Sequence, residues 1–121
     1  MSSYHLFVYA PTAAAGLQRL PDGREWVGQG LVHGTLYRLE GPGPVLMLYG
    51  NAPVHGEIWR CPAESLAQLD ADAGTSEGRL RRAARRVASA DGGDPVACWL
   101  YVAGPALARL LLPERRLAGT P

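Results

Sequence analysis

The sequence predicts a single α+β domain in which a small mixed β-barrel carries one main side helix. Short apolar runs separated by glycine and proline turns recur along the chain, which predicts about six strands. Only the segment after Pro62 has apolar residues at helical spacing. With 121 residues, 47% of them hydrophobic, the chain can bury one core. We therefore expect one domain over 1–121, with a short C-terminal tail from about 105.

The predicted strands alternate with turns along most of the chain. His5–Tyr9 is an apolar and aromatic run, and Pro11 ends it because proline supplies no donor for a ladder hydrogen bond. After a loop over 12–25, a long strand over 28–39 contains glycines that predict a bend or bulge. Further strands are predicted over 45–49, 54–60, 83–90 (weak) and 96–103, with turns at 41–44, 50–53 and 91–94.

The one predicted helix is about three turns long. Its apolar residues, from Ala63 to Leu69, recur at helical spacing. Pro62 suits the first helical position, and Gly74 suits the left-handed residue that ends a helix. Residues 75–82 are polar and predict a loop, and the tail contains one leucine-rich turn, Leu107–Leu112.

Composition excludes several classes of function. The net charge of +1 and the pI near 7.8 provide no concentrated basic field, so nucleic acid is not expected as a partner. No run of 18 apolar residues predicts a membrane span, and no secretory signal precedes the first strand, so we expect a cytoplasmic protein. All 12 basic residues are arginine, which excludes lysine Schiff bases and lysine general bases. Frequent Ala, Gly, Arg and Pro are typical of a GC-rich genome, and we expect a bacterial source.

Two patterns have competing interpretations. Gly28, Gly30 and Gly34 resemble a dinucleotide-binding loop, but strand pattern continues where a helix should begin, which favours a bent strand. Cys61 directly precedes the predicted helix, where backbone N–H groups would favour a thiolate nucleophile. Two widely separated cysteines, Cys61 and Cys98, are more typical of small buried hydrophobic residues in a reducing compartment.

The histidines and a group of arginines leave further alternatives. His5, His33 and His55 have no metal-ligand spacing, so no metal site is expected from local sequence, although one assembled in space stays open. The more ordinary interpretation is a half-buried strand histidine in each case. A basic cluster either binds an anion or forms a solvated face balanced by acidic residues upstream. Its members are Arg79, Arg81, Arg82, Arg85 and Arg86.

Four carboxylates could supply a general base: Glu57, Asp70, Asp72 and Glu77. Glu57 lies among apolar neighbours on a predicted strand. The structural alternative is that Glu57 pairs with an arginine across the barrel.

Five short motifs cover most of the chain, from about Tyr4 to Val102. They are Tyr9-Ala10-Pro11-Thr12, Val32-His33-Gly34-Thr35-Leu36-Tyr37, Val54-His55-Gly56-Glu57-Ile58-Trp59, Leu66-Ala67-Gln68-Leu69-Asp70 and Trp99-Leu100-Tyr101-Val102. In this order and at this spacing they resemble the γ-glutamylcyclotransferase-like family, also called the AIG2-like family. The first motif corresponds to the family's Y-G-S/T-L, and the others to V-x-G-x-L-Y, V-x-G-E-hydrophobic-aromatic, L-x-x-L-D and a closing aromatic-hydrophobic-Y-V strand.

The resemblance implies a small barrel with a side helix and a pocket near the barrel mouth. In the family, the Y-G-S/T-L loop holds the γ-glutamyl group with backbone N–H donors. A glutamate in the pattern L-D-x-x-E-G takes a proton from the α-ammonium group, which then attacks the γ-carbonyl. The products are 5-oxoproline and a free amine or peptide, and no cofactor is needed.

The sequence departs from the family at the residues that carry this chemistry. The L-D-x-x-E-G pattern reads Leu69-Asp70-Ala71-Asp72-Ala73-Gly74, so the position of the base is Ala73. In the loop, Ala10 replaces glycine and Pro11 has no N–H to donate. A four-residue shift would instead make Glu77, before Gly78, the family glutamate.

We therefore expect a divergent enzyme of lyase or acyltransferase type that acts on a small polar or carbonyl-bearing substrate, with specialised biosynthesis as a setting that stays open. Ordinary 5-oxoproline formation is not expected. The alternative is a non-catalytic binding or accessory protein of the same fold. The expected partner is then a small molecule, and neither nucleic acid nor a membrane is expected as a partner. Whether the chain forms a homodimer stays open. The candidate acid–base residues are Glu57, Glu77, His33 and His55, and the candidate substrate-binding residues are Tyr9, Ala10, Pro11, Thr12 and Ala73.

Overall fold

A computed structural model of the chain describes residues 2–9, 20–37, 44–109 and 111. Within these residues a closed barrel forms in the strand order β1-β3-β2-β4-β5. The strands are β1 (Ser3–Tyr9), β2 (Glu25–Tyr37), β3 (Val45–Pro62), β4 (Leu80–Ser89) and β5 (Val96–Ala103). Only the β1–β5 pair is parallel among these ladders. The small mixed barrel predicted from the sequence is therefore confirmed.

The described residues contain five strands where the sequence predicted about six, because two predicted strands are one. Both 45–49 and 54–60 belong to β3, which pairs with β2 along its length. The pairing jumps from Gly34↔Ala52 to Thr35↔Met47, so residues 48–51, which overlap the first half of the predicted turn, bulge out of the ladder. Gly50 has a φ of 90° in this bulge, a conformation that glycine adopts without strain.

Side chains divide into an inner core and an outer layer. Alternate residues of β1 face opposite sides, so Phe7 and Tyr9 lie in the barrel interior, whereas Leu6 and Val8 pack outside. Gly56 is one reason the interior can accept the Phe7 ring: a Cβ built at Gly56 would lie 2.7 Å from Phe7 Cζ and would also contact the Val8 carbonyl. The outer layer is covered by the side helix.

The side helix begins later than predicted. Pro62 is the last residue of β3, a short 3-10 turn follows over Ala63–Ser65, and helix α1 spans Leu66–Ala73. Gly74 caps α1 in the left-handed conformation, as its sequence position predicted. The helix buries Leu69 and Ala73 against the outer side of the barrel.

The segment predicted as a loop over 75–82 is partly regular. Thr75–Glu77 forms a 3-10 turn and β4 already begins at Leu80, whose buried side chain belongs to the outer layer. In the tail, a four-residue helix α2 spans Pro105–Ala108. In the described part of the chain, no helix has the length and apolar character needed to cross a membrane.

Candidate functional site

Tyr9 lies at the end of β1, with its side chain buried inside the barrel. Its hydroxyl donates a hydrogen bond to the Tyr101 carbonyl oxygen at 2.6 Å and accepts one from the Leu46 backbone N–H at 3.2 Å. Burial raises the pKa of Tyr9 above its usual value. The hydroxyl therefore ties β1 to β5 and β3 as a neutral group. The other residues predicted to hold substrate here, Ala10, Pro11 and Thr12, lie outside the described residues.

Ala73, which the family resemblance predicts at the position of the general base, is the last residue of α1 and is completely buried. It belongs to the outer layer, whose members include Val8, Leu69, Leu80 and Tyr101. A methyl group at this position fills space and cannot transfer a proton. Gly74 caps the helix directly after Ala73, in the left-handed conformation.

A polar network lies beside Ala73 and was not predicted from the sequence. The Tyr101 hydroxyl donates to Asp70 Oδ1 at 2.7 Å, and Arg82 Nη1 donates to Asp70 Oδ2 at 3.0 Å. The guanidinium of Arg82 also lies 4.4 Å from the centroid of the Trp99 ring. Burial and the bond to Asp70 raise the pKa of Tyr101. Helix α1 is thus fixed to β4 and β5 by groups that already satisfy one another.

Tyr101 connects the helix to the barrel interior. Its hydroxyl binds Asp70 on the outer side, while its carbonyl oxygen accepts the bond from Tyr9 on the inner side. The end of β1 and the end of α1 are therefore both positioned against one residue of β5. This arrangement sets Ala73 relative to the strand from which the loop of the first motif departs.

Glu77 lies on the 3-10 turn that follows Gly74. Its backbone N–H donates to the Gly74 carbonyl oxygen at 3.1 Å, and its side chain is exposed. Gly78, after it, also has a positive φ of 76°. The turn brings Glu77 close in space to the end of α1, but its carboxylate is at the surface, whereas Ala73 is buried.

The other three acid–base candidates lie together on a different surface. His33, His55 and Glu57 alternate along the outer face of the β2–β3 ladder, where His33 pairs with Pro53 and is a diagonal neighbour of His55. Both histidines are exposed. Glu57 accepts a hydrogen bond from Trp59 Nε1 at 3.2 Å, so it has a tryptophan of its own strand as a partner, and it forms no ion pair with an arginine of the described residues.

This outer face approaches the predicted site from one side. His55 and Glu57 flank Gly56, and Gly56 is the residue that pairs with Tyr9. The two side chains face outward, whereas Tyr9 faces the barrel interior. The structure therefore brings three candidates together and leaves Glu77 apart from them, and the roles of all four remain predictions. The described residues contain no cluster of three or more His, Cys, Asp or Glu side chains arranged to hold a metal ion.

Both cysteines are buried and unpaired. Cys61 lies within β3 and not at a helix N-terminus, and burial raises its pKa. Burial also raises the pKa of Cys98 to about 12. Neither environment favours a thiolate, so the cysteines serve as small hydrophobic residues of the core.

Comparison of folds gives several solved structures of similar architecture. One is a mouse (Mus musculus) AIG2-like protein, with a TM-score of 0.68 and 23% identity over 95% of this chain and 83% of that chain. A structure titled gamma-glutamyl cyclotransferase has a TM-score of 0.67 and 16% identity over 84% of this chain. The match spans 66% of that protein, slightly less than two thirds. A protein specific to uropathogenic E. coli has a TM-score of 0.61 and 20% identity over 99% and 93% of the two chains.

These identities establish a shared fold and nothing more specific. No curated protein sequence matches the chain. The sequence model described as "Gamma-glutamyl cyclotransferase, AIG2-like" matches residues 6–117, nearly all of the chain. The barrel order, the side helix ending at Ala73–Gly74 and this match lead to one conclusion. The chain belongs to the gamma-glutamyl cyclotransferase, AIG2-like family.

Proposed function

We propose that this chain is a binding member of its family that takes a small carbonyl-bearing ligand and does not convert γ-glutamyl compounds to 5-oxoproline. The observation that carries the proposal is the buried methyl group of Ala73 at the end of α1. A general base must reach the proton it removes within hydrogen-bond distance, directly or through one water molecule. The family resemblance predicts Ala73 at the position of this base, and its methyl group cannot remove a proton.

The polar groups nearest to Ala73 support the same proposal. Asp70 is the carboxylate one helical turn before Ala73, but both of its oxygens accept hydrogen bonds, one from Tyr101 and one from Arg82. The Asp70 carboxylate is therefore committed to holding α1 against β4 and β5. The sequence of the loop after Tyr9 adds to this, since Pro11 cannot donate a backbone hydrogen bond.

A second candidate function rests on Glu77. The 3-10 turn places its backbone within hydrogen-bond distance of Gly74, the residue directly after Ala73. A change of side-chain rotamer at Glu77 requires no movement of the helix. The Glu77 carboxylate could in this way supply the base that the side chain of Ala73 lacks. In that case the chain is a divergent enzyme with a relocated carboxylate.

An assay of 5-oxoproline release separates the two candidates. The purified chain is incubated with γ-glutamyl amino acids, γ-glutamyl amines and glutathione, beside Glu77→Gln and a no-protein blank. The control is Glu64→Gln, which removes an exposed carboxylate from the other short turn, before α1. We expect no release above the blank from any protein.

Each other result has a defined meaning. Release that Glu77→Gln lowers by 100-fold or more, with Glu64→Gln unchanged, would replace the proposal with the divergent enzyme, because positioned bases contribute about 10²–10⁴-fold. Release that neither change affects would refute both candidates.

Binding is measured separately by thermal shift with 5-oxoproline, glutamine and γ-glutamyl dipeptides. A ligand at 100 times its Kd stabilises the folded state by about 2.7 kcal/mol, which raises the Tm by several degrees. We expect at least one of these compounds to do so, and no shift with any of them would contradict the binding role.

A further inference from the structure

A groove lies at the other end of β1 from the family loop. It has a volume of about 580 Å³ and is lined by Ser3–His5 of β1, Ala97–Trp99 of β5 and Ala84–Arg86 of β4. The groove reaches His5, four residues before Tyr9, so roughly 13 Å of strand separates it from the loop that follows Tyr9. The groove is therefore distinct from the position at which the family acts.

The groove exists because the barrel closes weakly on this side. Strand β1 pairs with β3 at seven positions but with β5 at a single one, Leu6↔Trp99. The two strands are parallel. On β1 the lining residues precede Leu6, and on β5 they extend up to Trp99. Before this pair the two strands have no ladder pairs with each other, and the groove lies along them and along the adjoining residues of β4.

The charge of the groove is positive and lacks a partner in the described residues. Arg85 and Arg86 line it, and its lining contains no aspartate or glutamate. Ion pairs elsewhere in these residues join Arg60 to Glu25 and Arg82 to Asp70. Arg85 Nη1 donates only to the carbonyl oxygen of its neighbour Ala84, at 2.8 Å. Both arginines thus belong to a lining without a carboxylate, and the guanidinium group is well suited to bind carboxylate, sulfonate or phosphate anions.

The rest of the lining is mostly apolar and includes two held aromatic rings. Tyr4 is fixed by a hydrogen bond of 2.6 Å between its hydroxyl and Ser65 Oγ. Trp99 is half-buried, with the Arg82 guanidinium over its ring. Rings that are already held lose little side-chain entropy when a ligand stacks on them. They suit a flat apolar body better than a small hydrated ion.

We propose that this groove binds a small organic anion with a planar apolar body, of the aromatic carboxylate or sulfonate class. Arg85 and Arg86 contact the charged group, while Trp99 and Tyr4 contact the planar body. This site goes beyond the function proposed above, since it uses neither Ala73 nor the loop after Tyr9. It also assigns a role to part of the arginine cluster, whose member Arg82 is already paired with Asp70.

A matched pair of fluorescent probes tests the proposal. The anion is 8-anilinonaphthalene-1-sulfonate, and the neutral control is N-phenyl-1-naphthylamine, which has the same rings without the sulfonate. Fluorescence titration and calorimetry are carried out with the full chain at low and high salt. We expect one sulfonate probe per chain, bound more tightly than the neutral probe and more weakly at high salt, because salt screens partly exposed charges.

Three variants locate the site. The double change Arg85→Gln and Arg86→Gln should weaken binding of the sulfonate about tenfold and leave the neutral probe unchanged, since charge-assisted hydrogen bonds are lost. The change Ala97→Glu introduces a carboxylate at the groove and should weaken the sulfonate similarly. Arg81→Gln is the control, because Arg81 is an exposed arginine of the same strand outside the groove.

The four substituted positions are all exposed, so the variants should keep the wild-type circular dichroism spectrum and Tm. Two results would overturn the proposal. One is an Arg81→Gln loss as large as that of the double variant, which would indicate a diffuse basic face. The other is equal affinity for the two probes in the unchanged protein, which would indicate an apolar cleft without anion recognition.

Discussion

Replacing Asp70 by alanine should destabilise the fold by about 2–4 kcal/mol. The hydrogen bond from the Tyr101 hydroxyl to Asp70, at 2.7 Å, involves a charged acceptor, and such bonds contribute roughly 1.5–3 kcal/mol. The ion pair with Arg82 adds about 0–1 kcal/mol, because both side chains are 28% exposed and water screens the pair. For a domain of this size the Tm should fall by roughly 10 °C.

A double-mutant cycle with Tyr101→Phe isolates the bond itself. Urea unfolding is followed by circular dichroism for the wild type, Asp70→Ala, Tyr101→Phe and the double variant. Because either single change removes the same bond, the double variant should be less destabilised than the sum by about 1–2 kcal/mol. The control is Asp72→Ala two residues along α1, whose side chain bonds only Gln68 at the surface, and this change should cost less than about 0.5 kcal/mol. If Asp70→Ala matches this control, or if the two changes add, then the network does not hold α1 to the barrel.

Three further predictions follow from the site and the core. Ala73→Glu alone should restore little or no 5-oxoproline formation. The triple variant with Ala10→Gly and Pro11→Ser should exceed it by more than the sum of the separate effects, since these groups act as a unit. A single variant as active as the triple variant would refute this account of the loop. The free energy of unfolding should fall above about pH 10, because burial raises the pKa of Tyr4 to about 12 in the folded state. The unfolded chain then loses the Tyr4 proton at a lower pH than the folded chain, which favours unfolding as the pH rises. Urea midpoints that stay constant from pH 8 to 11 would contradict this prediction. Gly56→Ala should lower the free energy of unfolding, measured in urea, by at least about 2 kcal/mol, since the new methyl group would overlap a phenylalanine ring and a backbone carbonyl. An unchanged urea midpoint would show that the interior can adjust.

Local pattern predicted the barrel and the end of its helix but not every boundary. Gly74 ended α1 as expected because a left-handed cap depends on one residue and its immediate neighbours. The segment 50–53 carries turn residues, yet it lies within β3, because pairing with β2 on both sides of the bulge extends the strand through them. Sequence alone does not reveal whether a turn signal ends a strand or bulges from it.

The site was predictable only where a motif defined it. The L-D-x-x-A-G pattern identified Ala73 correctly as the residue at the end of the helix. The network of Asp70, Arg82 and Tyr101 joins residues from a helix and two strands, so no spacing along the chain encodes it. The hydrogen bond between Glu57 and Trp59 was missed for a different reason. The two residues are only two positions apart, but an arginine partner was expected on charge alone.

The single pair that closes the barrel between β1 and β5 also determines when the fold can be completed during synthesis. Leu6 lies in the first strand to leave the ribosome and Trp99 in the last, so closure waits until almost the entire described chain has been made. Until then β1 has a partner on one side only, and β4 lacks the long ladder that it forms with β5. Strand β1 therefore presents an open edge to other nascent chains for most of translation, and β4 does so only until β5 has been made. The step that seals the barrel is therefore the last to become possible and depends on contacts of the greatest sequence separation, which are the slowest kind to form.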